Sequence, residues 1–124
     1  MGFIKTSRAL PACALAAALL LSGCASAPKT LYQWEGYQPQ VYEYFKGEEP
    51  AQAQAEALER DLQKIASTGN KAPPGYHAHL GMLYLSMGKD DQMVQQLRTE
   101  KALFPESGPY MDFLLKNAKT GDAK

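Results

Sequence analysis

Between Ala51 and Ile65, apolar residues recur at three- and four-residue steps (Ala51, Ala55, Leu58, Leu62, Ile65), with glutamine and charged residues filling most positions between them. That period turns one stripe toward a core and predicts a helix from about Pro50 to Ser67. Glu48 and Glu49 stand at its positive end, and Ser67-Thr68-Gly69-Asn70 reads as its stop. A shorter helix is predicted between Tyr37 and Phe45, with Pro39 tolerated in the first turn and Gly47 ending it. A third runs from about Pro74 to Met87, carrying Tyr76, Leu80, Leu83, Tyr84 and Met87 on one side and closing at Gly88. Asp90 is placed to cap a fourth, whose apolar positions Met93, Val94, Leu97 and Phe104 lead to the breaker Pro105. Ser107 and Pro109 open a last, short helix containing Met111, Phe113, Leu114 and Leu115, and Lys119–Lys124 is expected to fray.

The nearest approach to strand-like alternation is Leu31–Trp34, so the fold class expected is all-α. Residues 31–118 are expected to form one domain, and the spacing of Leu80-Gly81, Tyr84, Gly88, Leu97 and Pro105, which resembles a tetratricopeptide repeat, implies a small stack of helical hairpins there.

Upstream the pattern changes. Lys5 and Arg8 precede an apolar run from Ala9 to Leu21, which is shorter than the roughly 20 residues a membrane-spanning helix needs. Residues 1–23 are therefore expected to be an export signal. The run closes on Leu21, Ser22, Gly23 and Cys24, which resembles the lipobox of bacterial lipoproteins: an aliphatic residue, two small residues, then the cysteine that becomes the new N-terminus. The resemblance implies cleavage before Cys24 and a thioether-linked diacylglycerol on its sulfur, completed by further acylation of palmitate type. The other cysteine, Cys13, lies within the signal, so no disulfide is expected in the mature chain. Several acyl chains make attachment effectively permanent, where one would be marginal. Ala25 follows the cysteine where an inner-membrane retention signal places Asp, so the expected location is the periplasmic face of the outer membrane. Residues 24–30 are the lipidated tether, small, polar and broken by Pro28.

Cleavage removes two basic residues and leaves eleven basic against thirteen acidic groups, a net charge of −2. That balance lacks the clustered Lys and Arg on which nucleic-acid binding depends. Six of the mature chain's eleven aromatic residues lie between Leu31 and Phe45. Tyr42, Tyr44 and Phe45 are expected in the core, because amphipathic helices bury one face. Tyr32 and Trp34, outside the helices, are balanced between core and binding surface, and their alternation would suit addition to a partner as a strand.

Leu80-Gly81, Tyr84, Gly88, Leu97 and Pro105 follow a spacing similar to the tetratricopeptide repeat. In that arrangement Gly81 lets paired helices approach, Gly88 turns the chain and Pro105 ends the second helix. Met93 and Glu100 depart from it, standing where small residues are usual, and His77 occupies its early aromatic position. The chain also resembles a family of short bacterial outer-membrane lipoproteins of unknown function. The resemblance rests on the lipobox, Tyr32-Gln33-Trp34-Glu35-Gly36-Tyr37, Val41-Tyr42-Glu43-Tyr44-Phe45 and Phe104-Pro105-Glu106-Ser107. Such genes commonly stand beside one for a CsgG-like lipoprotein, which implies membership of an envelope complex with that partner and assigns no catalytic residue.

His77 and His79 point about 200° apart on a helix and cannot share one ion. No metal and no cofactor is expected. Ser67, Ser86 and Ser107 sit where turn or cap roles suffice. The expectation is a non-enzymatic interaction or assembly subunit with no small-molecule substrate and with Tyr32, Trp34, Tyr76 and Tyr84 as candidate partner contacts. The alternative is a cell-wall factor that binds peptidoglycan or activates its synthase.

Overall fold

A computed structural model of the chain describes residues 29–121, without the side chains of 119–121. The chain divides between Thr30 and Leu31, and the described helices all belong to the second unit. They are α1 (Tyr37–Lys46), α2 (Ala51–Ser67), α3 (Tyr76–Ser86), α4 (Asp90–Leu103) and α5 (Gly108–Gly121), with a 3-10 turn at Pro105–Ser107 before the last. The described residues contain no strand, and the all-α expectation holds. No helix among them is long and apolar enough to cross a membrane.

Each helix packs on its neighbours in sequence, which gives the quasi-one-dimensional order of stacked hairpins. Gly47 ends α1 at φ 71°, its N–H donating to the Glu43 carbonyl. Gly88 turns the chain between α3 and α4 at φ 68°. At Gly81 the two helices of this hairpin come so close that a Cβ would stand 3.1 Å from Leu97 Cδ2. The predicted stripe of α2 faces the core: Ala55, Leu58 and Ile65 are buried, with Ala51 and Leu62 partly so.

Helix α3 is the centre of the stack. Tyr76, Leu80, Leu83 and Tyr84 are buried, and Ala78 and Leu85, on other sides of the helix, also pack against the core. The one-sided stripe predicted for this helix is thus too narrow, because a helix with neighbours around it is apolar around it. Met93 and Leu97 of α4 and Met111 of α5 complete the core. Burying each large aliphatic side chain contributes about 2 kcal/mol.

Three predicted helix ends shift. Pro50 precedes α2 instead of opening it. Asp90 lies inside the first turn of α4, where its charge meets the helix dipole, and makes no capping bond. The last helix is longer than expected and runs to Gly121, past the predicted start of fraying at Lys119. The predicted signal at 1–23 and the tether as far as Pro28 lie outside the described residues.

Candidate functional site

Leu21, Ser22, Gly23 and Cys24, the predicted lipobox and lipidation site, lie outside the described residues. Of the four predicted partner contacts, the structure removes two. Tyr76 is fully buried and its hydroxyl donates to the Leu58 carbonyl at 2.9 Å. Tyr84 is also buried, its hydroxyl donating to Glu59. Both belong to the core, because a tyrosine whose hydroxyl finds an internal partner buries its ring at little cost. Burial raises both phenols above their ordinary pKa, with nearby carboxylate charge adding to the shift.

Tyr32 and Trp34 remain at the surface. Tyr32 is half-buried, edge-on to Phe104 with ring centroids 6.0 Å apart. Trp34 is exposed on one face and stacks by the other on Tyr37, which in turn stacks on Tyr76 at 5.0 Å. Their segment is not a free strand edge. The Gln33 N–H donates to the Lys71 carbonyl at 2.9 Å, and its side-chain oxygen accepts from Thr68 and Asn70, each at 2.7 Å. Glu35 has a positive φ of 42°, unusual away from glycine, and its carboxylate pairs with Lys64 at 2.7 Å. That contact and the one to Gln33 hold its pKa below the usual carboxylate range. At Gly36 the backbone N–H donates to Asp61 at 2.9 Å, where a Cβ would collide with the same carboxylate. Internal bonds at Gln33 and Gly36 thus occupy part of the backbone that strand addition would use.

Of the residues of α1 expected in the core, Tyr42 and Phe45 point outward, while Tyr44 is turned partly inward, edge-on to His79. Tyr42 is 63% and Phe45 79% exposed, Tyr44 is exposed over a third of its surface, and no residue of α1 is fully buried. The inward stripe is Tyr37, Val41 and Tyr44, a spacing of four and three, which leaves Tyr42 and Phe45 on the outer face. At the other end of the stack Tyr110 and Phe113 are also exposed, their rings stacked at 6.3 Å. Here too a signal was present: Met111, Leu114, Leu115 and Ala118 form the inward stripe, leaving Tyr110 and Phe113 outside it.

A cleft of about 740 Å³ opens between the Leu31–Tyr32 segment, the C-terminal half of α2 and the end of α4, walled largely by Leu62, Ile65, Leu103 and Phe104. A smaller one, about 350 Å³, lies between Ala78 and Met111 beside Glu100. Glu100 itself is 2% exposed. Its carboxylate accepts the N–H groups of Gly75 at 2.6 Å, His77 at 3.2 Å and Ala78 at 3.3 Å. Helix α3 enters through Gly75 at φ 90° with no side-chain cap of its own, so Glu100 supplies one from across the hairpin. This explains a glutamate where the repeat pattern prefers a small residue.

His77 bonds to Gln96 at 2.7 Å, while His79 lies edge-on to Tyr37 and Tyr44 with Nε2 buried and unpartnered. Burial pulls the His79 pKa below its ordinary value. Among the described residues no three His, Cys, Asp or Glu side chains are grouped to hold a metal. Ser67, Ser86 and Ser107 each donate a hydroxyl hydrogen bond to the carbonyl three residues earlier, at 2.7 Å.

The described surface thus carries exposed aromatic rings at both ends of the stack and a cleft along one edge. No curated protein and no solved structure matches the chain. One family profile does, that of a domain of unknown function, DUF4810, over residues 31–114. That span runs from the first residue of the cleft through the first half of α5, and the chain belongs to this family.

Proposed function

We propose that the chain is an outer-membrane lipoprotein, lipidated on Cys24, that serves as a non-enzymatic interaction subunit of a periplasmic envelope complex, with a CsgG-like lipoprotein as its partner. The observation that carries the reading is the outer face of α1, where Tyr42 and Phe45 stand in solvent at the end of an otherwise ordered stack. Aromatic side chains at exposed, ordered positions are the usual anchors of protein interfaces. Terminal units of helical stacks ordinarily present polar outer faces, so an aromatic one calls for a partner. The close approach at Gly81 and the turn at Gly88 support the tetratricopeptide-like reading of α3 and α4. The lipobox supports the anchor.

The test is crosslinking in intact cells, with the protein captured and its neighbours identified by mass spectrometry. Capture of a CsgG-like lipoprotein that depends on Cys24, and is weakened by Tyr42→Ser with Phe45→Ser, is the expected result. Trp34→Ala is expected to weaken capture without unfolding the domain, since one face of that ring is free. Capture of cell-wall synthases alone, or pelleting with purified sacculi, would replace the adaptor reading with that of a cell-wall factor.

A further inference from the structure

We propose that the cleft at the N-terminal edge of the domain is a lipid-binding site that takes an acyl chain of the bilayer to which the protein is anchored. The inference rests on the lipoprotein reading above. Its floor is buried and apolar, formed by Ile65 and Phe104 with Tyr32 packed edge-on against the latter ring. Two leucines stand at its rim: Leu31 is 86% exposed and Leu103 54% exposed. Two leucines held in water at the mouth of an apolar cleft mark a place where burial is still to be gained. The volume, about 740 Å³, lies within the roughly 300–1,000 Å³ of small-ligand sites. At the rim Lys71 and Glu106 offset each other in charge, so nothing there selects a charged ligand over an aliphatic one.

The length of chain before the domain decides the occupant. Leu31, the first residue of the described domain, is itself part of the rim. Only residues 25–30 separate it from Cys24, so a fully extended tether spans at most about 25 Å. The tether thus joins the domain at the cleft's own edge. The apolar medium within reach of that edge is therefore the bilayer. The aromatic faces of α1 and α5 lie elsewhere in sequence and remain available to a protein partner.

The experiment uses the full lipidated protein, reconstituted into vesicles of phosphatidylethanolamine and phosphatidylglycerol doped with a phospholipid whose acyl chain carries a diazirine. After flotation and a flash of light, adducts are mapped by mass spectrometry. The expected result is labelling at Leu31–Tyr32 and Leu103–Phe104. Leu31→Asp with Leu103→Asp, both at exposed positions, is expected to cut labelling of Tyr32 and Phe104 about tenfold, since carboxylates at the rim oppose entry of a hydrocarbon chain. The variant should still float by its anchor. Flotation without adducts in the cleft, or with adducts unchanged in the variant, would overturn the inference and leave the lipoprotein reading intact. Failure of the wild-type protein to float would overturn the lipidation, and the inference with it.

Discussion

In the α3–α4 hairpin two tyrosines lie inside the core with their hydroxyls bonded to α2, whereas in α1 a tyrosine and a phenylalanine of similar size stand in solvent. The difference is one of neighbours. Helix α3 has α2 and α4 packed beside it, and rings of α1 against its first turns. Helix α1, at the edge of the stack, packs on α2 and touches α3 through Tyr37 and Tyr44. An aromatic residue is buried only where a second surface exists to bury it, so the same residue types become core in one helix and contact surface in the other. Each substitution considered below bears on one side of that contrast.

The largest effect is expected at Glu100. Replacing it by Ala leaves the N–H groups of Gly75, His77 and Ala78, at the partly buried start of α3, without their acceptor. A loss of about 3 kcal/mol is expected. Glu100→Gln keeps one acceptor oxygen and should lose about half as much. Urea denaturation followed by circular dichroism measures both. A Glu100→Ala protein as stable as wild type would show that α3 needs no cap from α4, and the contrast with α1 would weaken. Next comes Tyr76→Phe, which keeps the ring in the core but leaves the Leu58 carbonyl without its phenol donor. A loss of about 1–2 kcal/mol is expected in the same assay.

These two positions also show how far the sequence could be read. The stripe of α2 and the breaks at Gly47 and Gly88 follow from spacing alone, because each depends on residues a few positions apart, while the close approach of Gly81 to Leu97 is implied by the resemblance to the repeat. Glu100 follows from neither. Its partners are the N–H groups of Gly75, His77 and Ala78, more than twenty residues earlier, and what makes it necessary is the left-handed backbone of Gly75, which no local pattern reports. In the sequence it is visible only as a departure from the repeat. The aromatic density of residues 31–45 misleads for a related reason. Composition counts large apolar residues as core, while helical phase separates Tyr37, Val41 and Tyr44 from Tyr42 and Phe45, and phase is the stronger signal here. The internal bonding of the Leu31–Gly36 segment, through Lys71, Asp61 and Lys64, likewise joins residues too distant in sequence for alternation to reveal.

A smaller effect, confined to a range of pH, is expected where α1 meets α3. His79 sits between Tyr37 and Tyr44 with a buried, unpartnered nitrogen, and burial lowers its pKa. The unfolded state therefore binds a proton more readily than the folded one. Stability contributed at this site is fully present above the unfolded value of about 6.5 and declines as pH falls below it toward the folded pKa. Denaturation midpoints measured between pH 7 and 5.5 should fall with pH, and His79→Phe should flatten that slope. An unchanged slope in the variant would place the titrating group elsewhere and leave α1 held by its tyrosines alone.

The smallest effect on stability is expected where the largest effect on association is proposed. Tyr42→Ser and Phe45→Ser remove rings that lie mostly in solvent, and each should change unfolding free energy by no more than about 0.5 kcal/mol. Taken together they strip the outer face of α1 of its apolar surface while leaving Tyr37, Val41 and Tyr44 to hold the helix on its neighbours. A double variant that melts with wild-type cooperativity but no longer captures its envelope partner would separate surface from core within a single ten-residue helix. One that loses several kcal/mol would instead show that these rings have a packing role, and the outer face of α1 would then cease to be a candidate for recognition.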